Sequence, residues 1–85
     1  MKIYLVTTEN CGACRKLKNA MDYASMLDNI EIKTINPVIK ADMDFIKQYQ
    51  IVTFPTLLKI NRDNIEKLIG LQPLDRIRKF IEEKR

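Results

Sequence analysis

The two cysteines of this chain, Cys11 and Cys14, stand three residues apart where one periodicity gives way to another. Before them, Ile3 to Val6 is an unbroken apolar run, as in a strand covered on both faces. After them, Cys14, Leu17, Met21 and Ala24 recur at helical spacing, with Ala20 and Leu27 widening the stripe. A strand must therefore feed almost directly into a helix, with Cys-Gly-Ala-Cys at the junction. The chain has no histidine and no third cysteine, so one copy cannot close a four-ligand zinc site. A cluster shared between two chains stays open. A permanent staple is weakly motivated, because closing even a 15-residue loop is worth about 3 kcal/mol and this loop is far shorter. Reversible thiol chemistry is the favoured reading, against a structural disulfide or two inert thiols.

The 85 residues give room for one domain, residues 1–85, with one modest core. With 46% hydrophobic and 31% charged residues the composition is that of a globular chain. The formal charge of +4 comes from 15 basic and 11 acidic residues, and the signs are interspersed. Nucleic acid is not expected as a partner, because no aromatic stripe accompanies the basic residues. No apolar run reaches membrane-spanning length and none reads as a cleavable leader, so a cytoplasmic protein is expected, with no membrane partner. In that compartment thiols are kept reduced, and a cysteine pair is more readily redox-active than a staple.

The rest of the chain punctuates clearly. The first strand is expected over Ile3–Thr7 and the first helix from about Cys11 to Met26, ended by Asp28-Asn29. Ile30 to Ile35 alternates like a half-exposed edge strand, parallel to the first because a helix lies between them. Asn36-Pro37 marks a turn. A short helix over Ala41–Tyr49 turns Phe45, Ile46 and Tyr49 inward. Pro55 has no N–H for a ladder, so the apolar run from Val52 to Ile60 becomes a strand only at or after it. Asn61 to Asn64 is a polar turn and Ile65 to Ile69 returns antiparallel. Gly70 breaks that strand. Pro73 opens a last helix with Leu74, Ile77, Phe80 and Ile81 on its buried side, fraying from Glu82 to Arg85. The methionines read as core or near-core. The order is β-α-β-α-β-β-α, an α/β fold with a four-stranded mixed sheet and three helices on its two faces.

That order, with Cys11-Gly12-Ala13-Cys14 opening the first helix, resembles the thioredoxin superfamily. A second segment agrees: Thr53-Phe54-Pro55-Thr56-Leu57 looks like the family's cis-proline segment, and Gly70 before an amphipathic helix matches the family's end. The resemblance spans nearly the whole chain, without the additional N-terminal strand and helix of full-length thioredoxins. It implies a thioredoxin fold and a compact thiol-disulfide oxidoreductase. Three positions depart from the pattern. Asn10 stands where tryptophan is usual, Ala13 where proline is usual, and Leu5 where a buried acid would accept the proton of the second thiol. Glutaredoxins also lack that acid, which keeps a glutathione-linked activity open.

The chemistry needs a thiolate. At an ordinary pKa of about 8.5 only about 3% of a thiol is ionised at pH 7, and lowering the pKa to about 7 takes roughly 2 kcal/mol. A helix N-terminus supplies unpaired N–H groups and the positive end of the dipole, about 0.3–1 kcal/mol. Cys11 is placed to receive this and is the expected attacker. Cys14, one turn in on the apolar stripe, is the expected resolving thiol. Arg15, Lys16 and Lys18 add a positive field, unless they are simply a solvated helix face. Gly12 and Ala13 are small enough for a partner's backbone to approach. Thr53, Phe54 and Pro55 are the further substrate-binding candidates: the resemblance implies a cis Pro55 against the sulfurs, with Phe54 as an apolar lip. The plainer alternative for Pro55 is an ordinary strand start.

The function expected is reduction of disulfide-containing protein substrates by a monomer, with no cofactor and no metal. Electrons come from an upstream reductase or glutathione. A glutaredoxin-like reductase and a non-catalytic adaptor of the same fold are the alternatives.

Overall fold

The computed structural model describes residues 1–83. Its elements are β1 (Lys2–Thr8), α1 (Gly12–Tyr23), β2 (Glu31–Ile35), α2 (Lys40–Tyr49), β3 (Thr56–Asn61), β4 (Asn64–Ile69) and α3 (Leu74–Glu82). The strands form one sheet in the order β2-β1-β3-β4. β1 pairs parallel with β2 and antiparallel with β3, and β3 pairs antiparallel with β4. The expected order and the mixed sheet are both present.

Strand alternation splits the apolar residues between two layers. Ile3 and Leu5 of β1 and Leu57 of β3 join Leu17 and Met21 of α1 and Ile77 of α3 in one cluster. Val6 and Leu58, one residue along in each strand, face the other way with Ile35 and Ile51, under Phe45, Ile46 and Tyr49 of α2. Helices α1 and α3 thus cover one face and α2 the other. Fully burying a leucine or a methionine is worth about 1.5–3 kcal/mol, and most of that burial within the sheet falls on the central pair β1–β3. Among the described residues no helix is long and apolar enough to cross a membrane.

The largest boundary difference from the sequence reading is the end of α1. α1 ends at Tyr23 instead of Met26, because Ser25 takes a left-handed φ of 58° and the Met26 N–H bonds back to the Met21 carbonyl at 2.7 Å. That turn folds Met26 and Leu27 beneath the first cluster. Met1 is exposed and not core. The C-terminal residues Lys84 and Arg85, expected to fray, lie outside the described residues.

Two polar side chains hold the ends of helices. Lys59 is 3% exposed, although it lies in β3. Its Nζ donates to the carbonyls of Phe80 (2.7 Å) and Glu83 (3.1 Å) at the end of α3, and pairs with Glu66 Oε2 at 3.2 Å. It also sits 4.5 Å from the centre of the Phe80 ring. Three donors meet three acceptors, which removes the usual penalty for burying an ammonium group. Lys59→Met keeps the stem and loses all three bonds. Since a hydrogen bond to a charged group is worth about 1.5–3 kcal/mol, we expect the melting temperature to fall by roughly 10 °C or more in a scanning experiment.

Asp42, near the start of α2, accepts from Lys33 Nζ at 2.7 Å and from the Asn36 N–H at 2.9 Å. These two bonds fasten the β2–α2 connection to its strand. The hydrogen bond from Lys33 first, and the Asn36 N–H second, hold the carboxyl below the ordinary carboxylate range. A carboxyl with a depressed folded-state pKa contributes stability above its unfolded value, about 3.9, and loses it as pH falls through the folded value. Asp42→Asn is therefore expected to be less stable than the wild type in urea at pH 7. The gap should narrow as pH falls below the ordinary carboxylate value and close once the carboxyl is protonated in the folded chain as well.

Candidate active site

The parallel and antiparallel pairings bring four connections to one end of the sheet. They follow β1 and β2, precede β3 and follow β4. Cys11 lies on the first of these and Thr53-Phe54-Pro55 on the third. The expected site segments therefore share one end of the molecule.

Asn10 enters the site with a left-handed φ of 56°, a conformation asparagine tolerates better than most residues. Cys11 follows in extended conformation as the N-cap of α1, and its Sγ accepts the Cys14 N–H at 3.1 Å. Sulfur thus takes the place that a serine or aspartate oxygen takes at many helix starts. The Cys11 carbonyl accepts the Arg15 N–H at 3.2 Å, the first turn of the helix. No acidic residue occupies that turn.

Cys11 and Cys14 are joined in a disulfide, with Cα atoms 5.2 Å apart. Cys11 is half-buried, whereas Cys14 is 3% exposed on the same stripe as Leu17 and Met21. The asymmetry expected from the sequence is present: one sulfur near the surface at the helix mouth, the other inside. The helix dipole and the Cys14 N–H both favour negative charge on Cys11 Sγ. Gly12 is exposed and Ala13 half-buried, and nothing lies within 4 Å of where a Cβ on Gly12 would sit. Leu5 is fully buried in the apolar cluster beneath α1, so no carboxylate occupies that position.

The Phe54–Pro55 peptide bond is cis and Pro55 is buried. The Pro55 carbonyl accepts the Gly70 N–H at 2.8 Å, and the Thr56 hydroxyl donates to the Thr53 carbonyl at 2.6 Å. Gly70 sits at φ 83°, a conformation that favours glycine. Thr53 is exposed, while Phe54 is half-buried against the α2-side cluster. Phe54 is thus packed into the molecule along part of its ring as well as presented at the rim.

Sequence reasoning missed the apolar residues around this end. Val38 after β2, Val52 before Pro55 and Leu71 after β4 are 87%, 86% and 52% exposed. Their signal was available: each is an apolar residue inside a connection, within three positions of Pro37, Pro55 or Gly70. It also missed Thr7 and Thr34, register partners in β1 and β2, whose hydroxyls meet at 3.3 Å. They line a cleft that reaches Cys14.

A family model described as thioredoxin matches residues 3–83. No curated protein sequence matches the chain. Among solved structures, thioredoxin f from spinach chloroplast (short form) is similar with a TM-score of 0.72 at 18% identity, over 94% of this chain and 71% of that one. Thioredoxin from Aeropyrum pernix gives 0.71 at 20% identity, over 95% and 73%. Thioredoxin O2 from Arabidopsis thaliana, in its oxidized state, gives 0.68 at 14% identity, over 95% and 71%. At these identities the likeness speaks for the fold.

Proposed function

This chain belongs to the thioredoxin family, and from that premise we propose that it is a thiol-disulfide oxidoreductase that reduces disulfides in other proteins. One observation carries the reading: Cys11 Sγ caps a helix and accepts a backbone N–H, while Cys14 waits buried one turn inside within disulfide reach. In the cycle, the Cys11 thiolate attacks one sulfur of a target disulfide. A mixed disulfide forms and the other target sulfur leaves as a thiolate. Cys14, once deprotonated, attacks Cys11 Sγ, and the target departs with its second thiol. The protein is left oxidised and must be recharged by a reductant.

The exposed apolar residues Val38, Val52 and Leu71, with Phe54, support a polypeptide partner, because an apolar rim favours a partner that buries it. Thr53, exposed beside the cis-proline, carries the backbone that an extended segment of that partner would meet, and Pro55, with no N–H and its carbonyl held by Gly70, shapes the turn that presents it. Gly12 and Ala13 leave its approach clear. The protein acts as a monomer, in the cytoplasm, without cofactor or metal.

The test is turbidity from insulin reduction with dithiothreitol, together with alkylation of the reduced protein across pH. The expected result is accelerated precipitation and one thiol that alkylates well below pH 8.5. Two ordinary thiols and no acceleration would instead mark an adaptor.

A further inference from the structure

The disulfide can be approached from two flanks, and they differ in chemistry. On the β3 side are the connections that carry Pro55, Val52 and Leu71. On the opposite side, between α1 and the edge strand β2, is a cleft of about 220 Å³ that borders both Cys11 and Cys14. Taking a water's share of liquid volume as about 30 Å³, the space equals roughly seven waters, enough for a small molecule and too little for a folded segment. Ile32 gives it an apolar wall and the Thr7–Thr34 hydroxyl pair a polar one. Arg15 and Lys18 stand on the α1 wall and Glu9 at the mouth. Neither cation forms an ion pair among the described residues, so the cleft carries net positive charge beside a sulfur that must be attacked.

We propose that this cleft admits the reductant: a low-molecular-weight thiol bearing a carboxylate or phosphate. The proposal rests on Cys11–Cys14 being a redox couple. The thiol's sulfur, as thiolate, attacks Cys11 Sγ, and the Cys11–Cys14 bond breaks. Cys14 leaves as a thiolate and takes a proton from water. A second thiolate then attacks the small thiol's sulfur in the mixed disulfide and displaces the Cys11 thiolate. Two small thiols become one disulfide, and the protein disulfide becomes two thiols. Protein substrates and reductant would then use opposite flanks of one sulfur pair.

The test is the rate at which the oxidised protein is reduced by 3-mercaptopropionate, 2-mercaptoethanol and cysteamine. Each rate is divided by that of the same thiol with a small neutral disulfide, which removes intrinsic nucleophilicity. The anionic thiol should be favoured over the cationic one by about tenfold at low salt, and by little at 1 M, where the screening length is about 3 Å. Lys18→Gln and Arg15→Gln should each reduce the preference. Ile32→Trp, which fills the cleft without changing charge, should remove it. Arg78→Gln at the far end of the molecule removes the same unit of charge and should leave the preference intact. Glutathione and coenzyme A, run alongside, distinguish a carboxylate from a phosphate source. Absence of a preference, or equal loss in Lys18→Gln and Arg78→Gln, overturns the proposal. Insulin reduction with dithiothreitol reports separately on the cysteine pair, so failure of the cleft and failure of the redox reading are distinguishable.

Discussion

Cys14→Ser protein, incubated with a disulfide-containing substrate, is expected to stop at the mixed disulfide and remain covalently attached through Cys11. Cys11→Ser should attach to nothing. The roles follow from placement. Cys11 Sγ sits at the helix mouth with a backbone N–H directed at it, whereas Cys14 is 3% exposed. In the wild type the second step is intramolecular between residues whose Cα atoms are 5.2 Å apart. Once Cys14 is deprotonated, that intramolecular step outpaces attack by an external thiol at millimolar levels. Removing Cys14 therefore slows release far more than capture. Turnover in either variant should fall by about two orders of magnitude or more, since a serine hydroxyl without an activating base is a poor nucleophile. Non-reducing gels and intact mass spectrometry after acid quench read the outcome. A stable adduct in Cys11→Ser and none in Cys14→Ser would reverse the assignment of attacker and resolver.

Much of this architecture is legible in the chain because it rests on local signals. The run Ile3 to Val6, the apolar spacing after Cys14, Pro55 at the head of β3 and Gly70 at the tail of β4 each act over a few residues. What escaped is what joins distant residues. The sequence carries α1 to about Met26 because Leu27 still widens the apolar stripe; in the structure Met26 and Leu27 lie past the helix end. They do pack beneath α1 and α3, but through a left-handed Ser25 that no periodicity reveals. Lys59 reads as a polar interruption of an apolar strand. Two of its three acceptors lie 21 and 24 residues further on, and only the antiparallel pairing of β3 with β1 and the seat of α3 bring them together. The cleft likewise depends on Thr7 facing Thr34 across a parallel ladder. The cysteine pair was visible as a unit. The opening beside it, which needs β2's register as well as α1, was not.

Leu5 carries the second large expectation, because it occupies the position where the resemblance to thioredoxins implies a buried acid. Leu5→Asp would restore that acid into a site that is fully buried among Leu17, Met21, Leu57 and Ile77. Two costs combine. Removing a buried leucine side chain typically costs about 2–5 kcal/mol, and a carboxyl with no hydrogen-bonding partner adds a desolvation penalty of about 1–3 kcal/mol even when neutral. An 85-residue domain has a total stability of roughly 4–13 kcal/mol. The variant should therefore lose most of its stability at pH 7, with Leu5→Ala losing less. The pH dependence separates the two costs. Burial raises the folded-state pKa of the new carboxyl, so ionisation in the unfolded chain, beginning near pH 3.9, draws the equilibrium toward unfolding. Leu5→Asp should thus lose about 1.4 kcal/mol relative to Leu5→Ala for each pH unit above roughly 4, until the folded-state pKa is reached. Urea titrations of both variants between pH 4 and 7 measure this slope directly. A parallel pair of curves would mean that the aspartate reaches water or a cation at that depth. The ground beneath Cys14 would then be less dry than the packing of Leu5 requires.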